Sequence, residues 1–381
     1  MSWTLPLTDL ELSEEDVAAY LGVLESGWLT MGPRTREFER AFAERFGAAH
    51  AVALSSGTAA LHLALLAAGV GEGDDVLVPA MTFVAGAAAV RYCGARPVLV
   101  ESLGPEDLNV DPVDAERRIT PSTRAILATH WLGYACDLAA LERLCQEHDL
   151  ILIEDCAQSV TARDGRGRLT GTVGAAGCFS FFSKKQLAVG EGGMILTSEE
   201  AIAEKVRSLR SHAMTSMTWD RHRGHAESYD IVDVGFNFRM DEPRAALGLS
   251  RLSRVDADIA RRRNLVHRYR AQLRGLPDVI IPWSDEDVAR SSHFGFAILL
   301  ADEAGRAALV RELTAFGIQT THYPSLTALT AYRDHPPRPR TEELAGRHLL
   351  LPLASNYTER EVDLVATEVK RIMATSAAAA G

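Results

Sequence analysis

Short apolar runs rich in β-branched residues alternate with helical patterns along the first half of the chain. Between the runs lie patterns of helical period such as SGTAALHLALLAAG and DLAALERLCQEHD. Apolar strands that alternate with helices of this length are typical of a mostly parallel sheet covered on both faces. We therefore predict an α/β fold with a mostly parallel seven-stranded sheet. The runs predicted as strands are AVAL (51–54), DVLVP (75–79), RPVLVE (96–101), AILATH (125–130), LILIED (150–155), CFSFF (178–182) and GMILT (193–197).

The pattern changes in the second half of the chain. A long helical pattern runs from about Glu242 to Arg274, and a strand, a helix and a strand are predicted at 294–300, 304–317 and 318–323. An amphipathic helix at 358–373 closes the pattern. These elements predict a smaller C-terminal α/β domain. The expected division is an N-terminal arm with a large domain (1–251), a small domain (252–374) and a flexible tail (375–381).

Composition and charge exclude several classes of protein. Hydrophobic residues make up 47% of the 381 residues and charged residues 24%, as in ordinary globular proteins. The net charge of −11 argues against nucleic-acid binding. No signal-peptide pattern or apolar run of about 20 residues is present. Five cysteines without paired spacing predict reduced thiols in a cytoplasmic protein, and no metal-binding spacing occurs.

A pair of lysines stands out in FFSKKQLAVGEGG (181–193). The chain has 40 lysines and arginines in total, yet only four are lysines, at positions 184, 185, 205 and 370. A lysine amine can lose its proton and attack a carbonyl, whereas a guanidinium stays charged. A lysine beyond a buried strand in a glycine-rich segment is therefore a candidate for a Schiff base, although a solvated surface pair is the ordinary alternative.

Three further features precede the lysine pair. SSGTAALH (55–62) predicts a helix N-terminus, which either binds a phosphate or is an ordinary helix cap. Phe83 in PAMTFVAG (79–86) follows a strand and could stack on a planar ring or be an ordinary core aromatic. The carboxylates of Glu-Asp at the end of LILIED have three possible roles: to pair with a cationic ring nitrogen, to cap a helix or to form a structural ion pair. Together with a lysine amine, these groups suit pyridoxal 5′-phosphate (PLP).

The ordered motifs resemble the DegT/DnrJ/EryC1/StrS family of PLP-dependent nucleotide-sugar aminotransferases over nearly the whole chain. The motifs that carry the resemblance are GWLTMGPRTREFE (27–39), SSGTAALH, PAMTFVA, EDCAQS, FSFFSKKQLAVGEGG and GFNFRMDEPRAA (235–246). The resemblance implies the type I fold of PLP-dependent transferases, like that of aspartate aminotransferase. It also implies PLP as cofactor and pyridoxamine 5′-phosphate (PMP) as intermediate.

The resemblance implies a role for individual residues. Lys185 matches the Schiff-base lysine and Asp155 the partner of the pyridinium nitrogen. The other implied cofactor contacts are Gly57, Thr58 and Ser180 at the phosphate, Phe83 on the ring, Gln158 near the ring hydroxyl, and Asn237 at the phosphate of the neighbouring subunit of a homodimer. His322 and Tyr323 match a segment that lies near the substrate in relatives, or else they pack a strand end on the large domain.

The activity implied by the resemblance is transfer of an amino group from glutamate to a nucleotide-linked keto-deoxyhexose, and a TDP-4-keto-6-deoxyhexose is favoured. Such amino sugars enter antibiotics, surface polysaccharides or glycoproteins. Alternatives are a 3-keto-sugar aminotransferase, a scyllo-inosose aminotransferase, a PMP-dependent sugar dehydratase and a non-catalytic regulatory relative. Lys185 argues against the dehydratase, which carries His at this position.

Some positions depart from the family pattern or have no assigned role. Lys184 stands where Thr or a similar residue is usual, and we predict that it is dispensable for the chemistry. Arg244 replaces a frequent Gln, and Glu191 has no assigned partner. Within the loop 213–229, the side chains of Met214, Met217 and Trp219 either approach the nucleotide or pack.

Overall fold

The computed structural model describes residues 3–216, 219, 222–223 and 228–380. The helices are α1 (Glu14–Ser26), α2 (Pro33–Phe46), α3 (Gly57–Ala67), α4 (Ala85–Tyr92), α5 (Pro112–Arg117), α6 (Leu138–His148), α7 (Glu200–Leu209), α8 (Glu242–Leu252), α9 (Val255–Leu273), α10 (Asp285–Arg290), α11 (Glu303–Ala315), α12 (Pro339–Arg347) and α13 (Glu359–Ala380). The strands are β1 (His50–Leu54), β2 (Asp75–Pro79), β3 (Arg96–Val100), β4 (Ser102–Gly104), β5 (Asp107–Val110), β6 (Thr123–Thr129), β7 (Ile151–Asp155), β8 (Ala176–Ser180), β9 (Gly193–Thr197), β10 (Phe296–Leu299) and β11 (His348–Leu351). None of these helices is long and apolar enough to cross a membrane.

The predicted mostly parallel seven-stranded sheet is confirmed. Its strand order is β1-β9-β8-β7-β6-β2-β3. The pairs from β8 to β3 are parallel, and β9 is antiparallel to both of its neighbours. The carboxyl ends of β1, β2, β6, β7 and β8 therefore lie at the same edge of the sheet, which is where ligands bind in open α/β sheets.

Helices cover both faces of this sheet. On one face, α3, α4 and α7 bury apolar side chains such as Leu63, Val90 and Val206 against the strands. On the other face, the aromatic residues of α2 pack with Phe179, and α5 and α6 cover the strands nearer β3. Burial on both faces explains why the strands read as nearly continuous apolar runs.

The C-terminal part of the chain differs from the prediction in two places. The predicted strand at 318–323 is wrong, because Ile318 and Thr321 make only isolated bridges there, with Leu5 and Leu350, and β10 pairs instead with β11. The long helical pattern from Glu242 forms two helices, α8 and α9, which are separated at Ser253 and Arg254. The N-terminal arm joins this part of the chain, since Leu5 forms a bridge with Ile318. The division of the chain at residues 251 and 252 stays a prediction.

Candidate active site

A cavity of about 490 Å³ opens at the carboxyl edge of the central sheet. This volume lies within the range of small-molecule sites. The sequence-predicted residues that line the cavity are Gly57, Thr58, Phe83, Asp155, Gln158, Ser180, Lys185, His322 and Tyr323. Residues that are far apart in the sequence therefore meet at one place in the fold.

The N-terminus of α3 forms one end of the cavity. Ser56 caps the helix, because its hydroxyl accepts a hydrogen bond of 3.1 Å from the Ala59 N–H. Ser180, the last residue of β8, lies so close that a Cβ at Gly57 would be 2.8 Å from the Ser180 Cβ. The first N–H groups of a helix have no partner within the helix and suit an anion. This end of the cavity therefore offers backbone N–H groups and hydroxyls to a phosphate.

Asp155 ends β7 and is 5% exposed. One carboxylate oxygen accepts a hydrogen bond of 3.0 Å from the Ala157 N–H, and the other accepts one of 3.3 Å from the Thr129 hydroxyl. Burial raises the pKa of Asp155, while the Ala157 N–H and the positive charge of Lys185 oppose this rise. A buried carboxylate of this kind gains most from a cationic partner.

Lys185 lies in the same cavity and is half-buried. Its Nζ lies 4.4 Å from the centre of the Phe294 ring. Burial lowers the pKa of the Lys185 amine from 10.5 to about 8, and the negative charge of Asp155 opposes that shift. A fraction of the amine is therefore neutral near pH 7, as a nucleophile or a general base requires.

Glu154, the residue before Asp155, is fully buried on the other side of the strand. Its carboxylate accepts hydrogen bonds from Nε2 of His130 at 2.9 Å and from the N–H groups of Gly171, Val173 and Gly174 at 2.7 to 2.8 Å. Burial acts to raise the pKa of Glu154, but these donors outweigh burial and lower the pKa. Glu154 is therefore a structural anion, and Asp155 is the carboxylate that faces the cavity.

Gln158 and Tyr323 also line the cavity. Oε1 of Gln158 accepts a hydrogen bond of 2.7 Å from the Leu132 N–H. Burial raises the pKa of Tyr323 to about 12, so the phenol stays protonated at neutral pH. Phe83 lies at the opening of the cavity and is 57% exposed.

His322 reaches the cavity from the C-terminal part of the chain. Its Nδ1 lies 3.3 Å from Nη1 of Arg306, which can only donate. Partial burial and the positive charge of Arg306 lower the pKa of His322. The imidazole is therefore neutral near pH 7, with its proton on Nε2, so it can donate a hydrogen bond from that atom.

The sequence profile of the DegT/DnrJ/EryC1/StrS aminotransferase family matches residues 10–370. The chain belongs to this family. It is 37% identical to the spore coat polysaccharide biosynthesis protein SpsC of Bacillus subtilis over 80% of this chain and 76% of SpsC. It is 35% identical to GDP-perosamine synthase of Caulobacter vibrioides over 93% of this chain and 94% of that protein. The crystal structure of DesV from S. venezuelae in complex with a ketimine intermediate superposes with a TM-score of 0.89, at 34% identity over 98% of this chain and 99% of DesV.

Membership of the family makes the protein a PLP-dependent sugar aminotransferase with the predicted fold. Its cofactor is PLP, which alternates with PMP. The cavity fits this cofactor on three counts. Because residue 57 has no side chain, the N-terminus of α3 approaches Ser180 closely, which brings the free N–H groups of the helix and the Ser180 hydroxyl together for a phosphate. Asp155 supplies a buried carboxylate for a ring nitrogen, and Lys185 supplies an amine of lowered pKa for an aldehyde.

Asn237 does not line the cavity. It is exposed and forms a backbone bridge with Ser211, beyond the end of α7. Its role at the phosphate of a neighbouring subunit stays a prediction.

The loop 213–229 contributes no residue to the cavity within the part of it that the structure describes. Met214 forms a bridge with Ile231, and Trp219 packs on Trp28 with ring centres 4.7 Å apart. Arg223 lies over the Trp219 ring at 5.3 Å. These contacts favour packing for Met214 and Trp219, and Met217 lies outside the described residues.

Sequence reasoning missed several residues that line or support the cavity. Thr82 and Phe294 line it, and the Thr82 hydroxyl lies 3.3 Å from the hydroxyl of Thr129, the residue that donates to Asp155. Only the position of Thr82 next to Phe83, and of Thr129 at the end of a predicted strand, could have suggested them. Glu191 also lines the cavity, and its backbone carbonyl accepts a hydrogen bond of 3.2 Å from Arg244.

Proposed function

We propose that this aminotransferase moves the amino group of glutamate to a nucleotide-linked keto-deoxyhexose, with a TDP-4-keto-6-deoxyhexose as the acceptor. The observation that carries the proposal is the pairing, in one cavity, of a lysine whose pKa is about 8 with a buried carboxylate. A binding or regulatory protein of the same fold would have no use for this pair. Both groups cost stability when buried, and buried ionisable groups of this kind mark functional sites.

Each residue of the pair has a distinct task. When bound, PLP supplies an electron-withdrawing ring that acidifies the C–H bond of an attached amino compound. Asp155, held by the Ala157 N–H and the Thr129 hydroxyl, provides the negative charge that keeps a ring nitrogen protonated. Lys185 would hold the cofactor, and its amine, once released, would act as the general base for the α-proton of the amino donor and as the general acid that gives this proton back to the cofactor. The same residues run in reverse for the keto sugar, so the kinetics are ping-pong.

The acceptor part of the proposal rests on motif and cavity. Within the family, SSGTAAL together with GWLTMGP resembles the 4-keto-sugar enzymes more than the 3-keto-sugar enzymes. His322 and Tyr323 add hydrogen-bond donors to the cavity wall, which suits a hydroxylated sugar and its diphosphate. The name of GDP-perosamine synthase indicates a nucleotide-linked amino sugar as that relative's product. It supports the substrate class and adds guanosine to the nucleotides to be tested.

We also propose that the active site is completed across a homodimer by Asn237. Asn237 is exposed and stands outside the cavity of its own chain. Large apolar side chains are exposed nearby in the sequence at Ile231, Val232 and Val234, the last of them 84% exposed. Exposed large apolar side chains that lie close together in the chain are what a subunit interface would cover. Asn237→Ala should weaken PLP binding, and mixed dimers of Asn237→Ala and Lys185→Ala subunits should regain one working site.

The test of the function is a panel assay. The purified enzyme with PLP and glutamate is incubated with TDP-, UDP- and GDP-linked 4-keto and 3-keto hexoses and with scyllo-inosose, and amination is followed by mass spectrometry. We expect the TDP-linked 4-keto-6-deoxyhexose to be aminated fastest. Preference for a 3-keto sugar or for scyllo-inosose would replace the acceptor, and loss of water instead of amination would indicate a dehydratase. Lys185→Ala should abolish turnover, with Lys184→Arg as the matched control.

A further inference from the structure

Lys184 lines the active-site cavity beside Lys185 but differs from it in every other respect. Lys184 is exposed, and within the described part of the chain it has no ion pair and no hydrogen bond from its amine. Lysines 205 and 370, by contrast, donate to Asp233 and Gln272. The amine of Lys184 is therefore a free positive charge at the opening of the cavity.

The remaining charges of the cavity leave a need for such a cation. The described lining contains no arginine, its carboxylates are Asp155 and Glu191, and the pKa of His322 is lowered by partial burial and by Arg306. Lys185 is committed to the cofactor, whose phosphate adds further negative charge. A dicarboxylate that enters this cavity meets a negative field unless a cation compensates it.

The charge of Lys184 does not serve to tune Lys185. The lowered pKa of Lys185 comes from burial, with Asp155 as the opposing charge, and Lys184 is not among its causes. The Cα atoms of successive residues are only about 3.8 Å apart, so the two side chains must diverge for their amines not to interact. Lys185 extends to the half-buried Phe294 on the cavity wall, whereas Lys184 is exposed to solvent.

We propose that Lys184 binds the side-chain carboxylate of the amino donor and so selects glutamate over neutral amino acids. The inference rests on the proposed function, because it requires glutamate to react at Lys185. An α-carbon that reacts beside the Lys185 amine leaves the side chain of glutamate to extend toward the opening of the cavity. Its distal carboxylate then reaches the level of Lys184, whereas the side chain of alanine is too short. The nucleotide diphosphate of the acceptor is separated from the reacting carbon by a sugar ring.

Ping-pong kinetics allow the two substrates to be tested separately. In the first half-reaction, the loss of the visible absorption of the PLP form is followed at increasing glutamate, glutamine and alanine for the wild type, Lys184→Gln and Lys184→Arg. We expect Lys184→Gln to raise the apparent Kd for glutamate about three- to ten-fold, the effect of an exposed charge-assisted contact. The values for glutamine and alanine should change less than about two-fold. Lys184→Arg should keep most of the preference for glutamate.

The outcomes distinguish this inference from the function beneath it. If wild-type enzyme is not converted by glutamate at all, the proposed function fails before any variant is compared. If the wild type reacts but Lys184→Gln binds glutamate unchanged, or loses affinity equally for all three donors, the inference is overturned. It is equally overturned if Lys184→Gln leaves glutamate unaffected and instead weakens the keto-sugar half-reaction, because the bound anion is then the diphosphate. An unchanged absorption spectrum of each PLP-loaded variant shows that the site is intact.

Discussion

Two neighbouring lysines illustrate how strongly burial separates residues of the same type. Lys185 is half-buried, touches the Phe294 ring and has a pKa lowered to about 8, whereas Lys184 is exposed and unpaired among the described residues. The sequence identifies the chemistry that a lysine can perform and an arginine cannot. It does not contain the desolvation that makes one of the two amines reactive, because Phe294 is more than 100 positions away in the chain.

The lowered pKa of Lys185 predicts how PLP loading depends on pH. Only the neutral amine attacks the aldehyde, so the rate of attachment to the apoenzyme should rise with pH and level off above about pH 8, instead of rising toward the ordinary pKa of 10.5. Stopped-flow absorption after mixing with PLP measures this rate. Lys184→Gln should show the same profile, and a rate that still climbs between pH 9 and 10 would contradict the prediction.

Glu154 and Asp155 form a second pair of neighbours with separate tasks. The carboxylate of Glu154 accepts hydrogen bonds from four donors. Glu154→Gln would replace one of its two oxygens with an NH₂ group, which donates and cannot accept, so some of these N–H groups would lose their acceptor. We expect a loss of about 3 kcal/mol in the free energy of unfolding, measured by denaturant titration of the apoenzyme. Glu147→Gln, at an exposed position of α6, is the control and should change stability by less than about 0.5 kcal/mol.

At the scale of elements, the central sheet could be predicted because each strand is buried on both faces and reads as an apolar run. The reversed direction of β9 could not, since Gly193–Thr197 has the same apolar pattern as its parallel neighbours. β11 was missed because His348–Leu351 follows α12 with no intervening turn residue. The break between α8 and α9 at Ser253 and Arg254 lacks glycine or proline, so no local signal marks it.

The junction of α3 with β8 makes a prediction about glycine. A methyl group at Gly57 would lie 2.8 Å from the Ser180 Cβ and would push the helix end and the strand end apart. We expect Gly57→Ala to weaken PLP binding about ten-fold, the cost of modest overpacking, while the chain still folds. Fluorescence or absorption titration of the apoenzyme measures the affinity. Gly71→Ala, where a methyl group meets nothing within 4 Å, should bind PLP normally.

At the scale of the whole molecule, the C-terminal part packs directly on the site. One hydrophobic cluster contains Met81 and Trp131 from the sheet side together with Leu265, Phe296 and Leu350. The side chain of Gln186, next to Lys185, donates to the Ser292 hydroxyl at 3.0 Å and to the Gln158 carbonyl at 2.8 Å. Residues 186 and 292 are 106 positions apart, and no local pattern predicts that they meet. The motifs thus identified the site, and the contacts that hold it rigid came from the fold.

The same interface contains His293, a fully buried histidine whose two ring nitrogens have no partner among the described residues. Burial and the nearby charges of Arg263 and Arg262 lower the pKa of His293 to about 3. Between that value and the ordinary 6.5, the unfolded chain binds a proton that the folded chain does not, so this histidine makes the free energy of unfolding fall as pH falls below about 6.5.

We therefore expect His293→Asn to reduce the acid sensitivity of the whole protein. Asparagine tolerates the positive φ of 51° at this position and does not titrate. Denaturant unfolding of the apoenzyme at pH 7, 6 and 5 should give a smaller loss of stability for the variant than for the wild type, whatever their difference at pH 7. His148→Asn, at an exposed position, should leave the slope unchanged. Parallel curves for His293→Asn and the wild type would show that His293 takes up its proton in the folded state, which would require the interface to open in acid.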